Sequence, residues 1–363
     1  EPGDEDDVEE TAELHVPYSG PFVPPTQNLI WKQSGKYYAR HAPEDQARYM
    51  EAARYWEMHH DSLPYPKSKI PDGQETGRLL EHHYAYWHQL FNTRHLLALS
   101  TLLSQIQREE APALRWCLLS AFHSVLNNTS NQCTFRLSVG AGRQVFARHD
   151  YAPKSQPCET SVWGGRFGMG HWLSCARAVL DGKRFSQSVW DRRHNPATDK
   201  LETIANKEKV SGSSAVLHCG SSGERNAMPA AADLVITDPP YSTNVNYAEL
   251  SDFFYVWLRL PLRQEFPHFL PDHTPKAEEA VENDFRGVDA QEFGRRLQAV
   301  FTNAASVVSD DGIVAFTYHH EENASWQAVL TAVCESGLTV EAVYPIVGES
   351  ESSTHLMDNE APA

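Results

Sequence analysis

The sequence predicts an α/β protein in two parts, a mostly helical region followed by part of a parallel sheet, and three observations carry that expectation. Leucines recur at helical spacing between Arg78 and Gln107. From Ser214 onward, short apolar runs alternate with longer amphipathic stretches, the pattern of strands joined by crossover helices. The sharpest of those runs, Leu234-Val235-Ile236-Thr237, stops abruptly at Asp238-Pro239-Pro240-Tyr241.

Taken in order, residues 1–25 are acidic and then proline-rich, which predicts a solvated, disordered linker. Residues 26–210 form the mostly helical region. A helix is expected over 42–60, with Pro43 suited to its first turn, and the chain breaks at 63–73. Helical periodicity over 78–107 places Leu90, Leu96, Leu97, Leu99, Leu102, Leu103 and Ile106 on buried faces, and a further helix is expected over 113–126. Between 127 and 170 the pattern weakens, and 163–170 reads as a loop. The Gly-x-Gly spacings at Gly140/Gly142 and Gly168/Gly170 lack a preceding strand and a following helix, so neither reads as a nucleotide-binding loop.

Residues 211–363 carry the sheet. Strands are expected at 215–218, 234–237, 313–318 and 338–347, with helices at 248–259, 290–308 and 325–336, the last stopped by Gly337. The first residue is Glu and the last residues are polar, so the chain reads as a fragment, with the first strands of the sheet and its final one missing.

The formal charge of −17 opposes a protein that coats nucleic acid with its whole surface, but leaves room for a local basic face. Short basic runs interleaved with Phe185 and Trp190 occur at Lys183-Arg184, at Arg192-Arg193-His194 and between Lys200 and Lys209; solvated charge is the plainer reading of them. Six scattered cysteines contain no Cys-x-x-Cys pair, so neither a metal site nor a disulfide framework is signalled. No apolar run approaches the length of a membrane span and no signal peptide opens the chain, so a soluble, cytoplasmic protein without a membrane partner is expected.

The strand ending in Asp238-Pro239-Pro240-Tyr241 carries the chemistry. In an open α/β sheet, ligands bind outside the carboxyl ends of the strands, where this tetrad would lie. An exocyclic amine on a base is a poor nucleophile, because its lone pair is delocalised into the ring. A carboxylate and a backbone carbonyl that each accept one N–H bond would localise that pair. Asp238 and the Pro239 carbonyl suit those roles. Pro239 and Pro240 stiffen the turn and remove competing donors. Tyr241 supplies a π-face for a base flipped out of its duplex. The plain alternative is a tight Asp-Pro turn after a buried strand.

Here the sequence resembles a known family. The run from Thr237 through Asp238-Pro239-Pro240-Tyr241 to Arg259 looks like the catalytic segment of the large adenine-specific DNA methylases, whose members often carry a zinc ribbon. Similar matches are Ile70-Pro71-Asp72-Gly73, the stretch from Trp87 to Arg94, that from Gly312 to His320, and that from Val343 to Ser350. The resemblance implies a Rossmann-like class I methyltransferase sheet, here partial, S-adenosylmethionine as methyl donor, and DNA as partner. It implies methylation of the exocyclic N6 of adenine, in a restriction-modification or housekeeping setting. It places Asp238, Pro239, Pro240 and Tyr241 in catalysis, Gly220 and Ser221 (beside Cys219) at the cofactor, and Asn244, Tyr247 and Asp252 beside the substrate. His319, with His320 next to it, would face the same sheet edge and approach the substrate.

The family's glycine-rich cofactor loop and its zinc ribbon are absent from this sequence. A missing N-terminal half, on the same reading frame or on a partner chain, would supply the loop, and this chain alone should then bind the cofactor weakly. Alternatives are a methyltransferase acting on cytosine N4, RNA or a protein amide, and a catalytically silent nucleic-acid-binding module of a defence complex.

Overall fold

The structure is a computed structural model that describes residues 29–33, 36–136, 140–153, 158–164, 168–205, 215–224 and 232–346. The expected linker over 1–25 lies outside the described residues. The chain divides into two compact units, residues 1–48 and 49–363.

In the first unit, β1 (Leu29–Gln33) pairs antiparallel with β2 (Lys36–Ala39). Helix α1 (Pro43–His59) begins in this unit, close to the expected 42–60, with Pro43 opening it and Asp45 accepting the Ala42 N–H at 2.8 Å. It has no fully buried residue.

In the second unit, the expected helical stretch over 78–107 is broken into α2 (Thr76–Glu81) and α3 (Thr93–Gln107), separated by a short 3₁₀ turn at Trp87–Leu90. The break has a local cause. Asn92 is extended, and its side chain accepts the His95 N–H at 2.8 Å, which starts a new helix there. Helix α3 turns Leu96, Leu99, Leu102, Leu103 and Ile106 inward, and α4 (Pro112–Leu126), opened by Pro112, adds Phe122, Val125 and Leu126. Helix α5 (Trp172–Gln187), which the sequence did not signal, packs on α4. Against the same core lies α6 (Tyr247–Leu262), the helix that follows the Asp-Pro-Pro-Tyr tetrad. Its Phe253 and Trp257 are fully buried; the Phe91 ring stacks on Phe253 at 5.5 Å and meets Trp257 edge-on at 5.3 Å. Truncating either buried ring to Ala would cost about 3–5 kcal/mol. The first core therefore fixes where the tetrad's outgoing helix lies.

Two small antiparallel pairs were likewise without a sequence signal. One joins β3 (Phe135–Arg136) to β4 (Ala141–Gly142); the other is an exposed hairpin after α5, made of β5 (Trp190–Asn195) and β6 (Lys200–Ala205).

The parallel sheet is smaller than expected. Strand β7 (Ala232–Thr237) pairs in parallel with β8 (Val308–Phe316), reached through α6 and α7 (Ala290–Val307). Leu234 lies beside Ile313, Val235 beside Val314, Ile236 beside Ala315 and Thr237 beside Phe316. The expected strand over 215–218 is instead irregular, exposed chain, with Val216 and Leu217 in solvent. The stretch 338–346 is irregular too, and Val347 lies outside the described residues. Apolar, β-branched composition is the signal at both places. Without a neighbouring strand to take its hydrogen bonds, such a run has no ladder to join.

One face of β7–β8 rests on a second core, formed by α7 and α8 (Asn323–Glu335) with Phe293, Leu297, Phe301, Val329 and Val333; Phe316 meets Phe301 at 5.1 Å. Leu234, Ile236 and Ile313 are exposed, whereas parallel sheets are ordinarily covered on both faces. Gly337, at φ 83°, ends α8 as expected. Among the described residues, no helix is long and apolar enough to cross a membrane.

Candidate active site

Parallel pairing puts the carboxyl ends of β7 and β8 side by side, so the residues just past each strand meet. Asp238 follows β7 and Thr317 follows β8. The Tyr241 hydroxyl donates to Asp238 Oδ1 at 2.6 Å, and the Thr317 hydroxyl donates to the same oxygen. Burial and the hydrogen bond to Asp238 raise the Tyr241 phenol above its ordinary value, so it remains a donor at neutral pH. Its ring stands edge-on to Tyr318, 5.5 Å away, and burial pushes the Tyr318 hydroxyl up to about 12.

Pro239 is buried beside Asp238, and Pro240 is half-buried. Among the described residues, neither Asp238 Oδ2 nor the Pro239 carbonyl accepts a hydrogen bond. The turn therefore offers two acceptors on neighbouring residues at the sheet edge. Tyr247, in the first turn of α6, is partly exposed, and its hydroxyl is raised by burial and by the nearby charge of Asp238.

The backbone leaves the tetrad through a left-handed residue. Ser242 has φ 55° and is 1 % exposed, a conformation costly for any residue but glycine. Its hydroxyl donates to Glu282 and accepts from the Ser325 hydroxyl at 2.8 Å, while its carbonyl accepts the Glu282 N–H at 3.2 Å. Asn244 closes the turn by donating its N–H to the Tyr241 carbonyl at 3.1 Å.

A segment over 274–288 is tied across the start of α6 by carboxylates. Asp252, fully buried, accepts from the Thr274 N–H and hydroxyl and pairs with Lys276 at 2.7 Å. Glu279 accepts the Ala248 N–H at 2.7 Å and pairs with Arg286 at the same distance. Glu249, 1 % exposed, accepts the backbone N–H groups of Glu75 and Thr76 at 2.7 and 3.1 Å, tying the start of α2 to α6. Asp252 is thus a packing residue rather than one that faces a ligand.

The remaining candidates lie apart. Asn303, near the end of α7, donates to the carbonyls of Ser222 and Glu224 at 3.0 Å. Helix α7 ends where β8 begins, and Val308 pairs with Ala232 at the start of β7. The chain beside Gly220 and Ser221 is therefore pinned toward the amino end of the strands, opposite Asp238. These two residues do not form one cofactor pocket with Asp238 in this structure. Of the two histidines, His320 is the one tied in: its Nε2 lies 3.5 Å from the Thr243 hydroxyl, its Nδ1 accepts the Glu322 N–H, and its carbonyl accepts from the Trp326 indole. His319 is exposed and His320 half-buried on the segment that leaves β8.

No family model, curated protein or solved structure matches this chain.

Sequence reasoning passed over Thr317, Ser242 and Glu282. Thr317 had a usable signal, since it stands directly past an apolar strand, at the same edge as Asp238. Ser242 and Glu282 had none, because their pairing spans α6 and the irregular chain that follows it.

Proposed function

We propose that the chain is part of an S-adenosylmethionine-dependent methyltransferase of the Rossmann-like class I fold, and that it methylates the exocyclic N6 of an adenine flipped out of DNA. The observation that carries this reading is the pair Asp238 Oδ2 and the Pro239 carbonyl, acceptors without a donor among the described residues, at the carboxyl end of a parallel strand. An amine has two N–H groups, and a rigid carboxylate–carbonyl pair takes both. That arrangement turns the nitrogen lone pair out of the ring plane and toward a methyl donor. Thr317 and Tyr241 hold the other carboxylate oxygen, so Asp238 is oriented before the base arrives. Tyr241 and Tyr247 give the site aromatic walls for a base.

These residues serve the acceptor side of the reaction. Gly220 and Ser221 do not fit a cofactor site beside Asp238, so the cofactor side falls, on this reading, to a further part of the protein or to a partner chain that also covers the exposed apolar side chains of β7–β8.

The test is methyl transfer from labelled S-adenosylmethionine to unmethylated DNA, using protein from the complete reading frame and its Asp238→Ala variant, with nucleoside analysis of the product. N6-methyladenine that disappears in the variant is the expected result. No DNA methylation by the intact protein would sink the proposal and favour the silent nucleic-acid-binding module.

A further inference from the structure

Residues 172–205 form a part of the molecule that the candidate site does not use. Helix α5 buries Cys175 and packs Trp172, Ala176 and Val179 on the first core, but its C-terminal half and nearly the whole β5–β6 hairpin are turned to solvent. A two-stranded hairpin is only marginally stable alone in water. This one nevertheless exposes Trp190, Leu201 and Ile204, with Phe185 meeting Trp190 edge-on at 5.6 Å.

The register sorts the hairpin into two unlike faces, because side chains alternate along a strand and paired residues share a face. Trp190, Arg192 and His194 lie opposite Ala205, Thr203 and Leu201. Asp191 and Glu202, the acids of the two strands, both fall on the other face, with Arg193 and Lys200, while Asp199 in the turn lies 2.8 Å from His194 Nε2. The Arg192 guanidinium lies 5.6 Å over the Trp190 ring, which holds it against the aromatic face, and it has no ion pair among the described residues. In a chain of formal charge −17, residues 172–205 reverse the balance, with six Lys and Arg against four Asp and Glu.

We propose that this hairpin reads duplex DNA from the major groove, with the face of Trp190, Arg192, His194, Leu201 and Thr203 against base edges. Lys183 and Arg184 at the end of α5 then lie on phosphates. The B-form major groove, about 12 Å wide, admits a two-stranded ribbon, whereas the deep, narrow major groove of duplex RNA does not. Arginine reads guanine with two parallel hydrogen bonds, and the Leu201 and Thr203 methyl groups suit the thymine methyl. The proposal takes its substrate class from the proposed function and adds which part of the chain reads it.

The test is fluorescence anisotropy on the full chain with a labelled mixed-sequence DNA duplex, the corresponding single strand and the corresponding RNA duplex, over a range of salt. Circular dichroism checks that each variant is folded. Duplex DNA is expected to bind best. Lys183→Ala/Arg184→Ala should lower the slope of log affinity against log salt by about 2, since each phosphate contact contributes about 0.9. Arg192→Ala should weaken the tightest duplexes selected from the pool by about 10-fold, with the salt slope changed by less than about 1. Variants that bind as the parent does, or a preference for single strands or RNA, would overturn the proposal. Hairpin-dependent binding without methyl transfer would sink the proposed activity and leave the groove reader standing; methyl transfer indifferent to these variants would do the reverse.

Discussion

The Tyr241 hydroxyl and Asp238 Oδ1 are 2.6 Å apart, so the tetrad is closed on itself through the first and last of its side chains. The ring and the hydroxyl of Tyr241 therefore have separable consequences. Tyr241→Phe keeps the ring and removes one donor from Asp238, and methyl transfer should stay within about 5-fold of the parent, because Thr317 still holds the carboxylate. Tyr241→Ala loses base stacking worth about 1–3 kcal/mol and should cut transfer by roughly 10- to 100-fold. Equal losses in the two variants, measured as initial rates, would contradict this division of roles.

Ser242 combines a left-handed backbone with a buried hydroxyl, and the two features can be tested against each other. Ser242→Gly removes the hydroxyl and the strain together, whereas Ser242→Ala removes only the hydroxyl. Urea unfolding should therefore rank the parent first, the Gly variant second and the Ala variant last, with about 1 kcal/mol separating the two variants.

Asp252 is fully buried against Lys276. Removing the acid leaves a shielded ammonium ion and an unpaired Thr274 N–H, so Asp252→Ala should destabilise the fold by about 3 kcal/mol. The unfolding midpoint in urea measures it. A neutral result would show that the buried pair with Lys276 adds nothing to stability.

Burial raises the Glu75 carboxyl above its ordinary 4.5, against the lowering effect of Arg78. A carboxyl with a raised folded value favours folding while it is protonated. That contribution is present below pH 4.5 and is lost as pH rises through the folded value. Glu75→Gln, which is never charged, should therefore raise the thermal midpoint at neutral pH, and the gain should vanish once the medium is acid enough to protonate the parent's carboxyl. A gain that persisted in acid would argue that the amide simply packs better, not that the charge was costly.

Pro43 and Gly337 marked a helix start and a helix stop that the structure keeps, and the apolar stripes over 96–106 and 113–126 marked α3 and α4. The break before Asn92 was hidden because leucines continue through it. The hairpin was invisible for the opposite reason: exposed along most of their length, β5 and β6 show no apolar alternation. Strands over 215–218 and 338–347 were expected on apolar composition alone, whereas β7 has β8 to pair with. Asp238 and Tyr241 were readable because a strand end and a rigid turn lie in one continuous run. The hold of Thr317, Ser242 and Glu282 on that run depends on residues brought from 40 to 79 positions away.

The uncovered side chains of β7–β8 also govern how the chain behaves in a tube. Leu234, Ile236 and Ile313 are exposed on a sheet that has two strands among the described residues, a template on which another copy can stack or add a strand. At low ionic strength the charge of −17 keeps copies apart. At about 1 M salt the screening length shrinks to about 3 Å, and that repulsion fades while apolar attraction does not. Concentrated salt, which weakens contacts made by charge alone, should make this chain turbid.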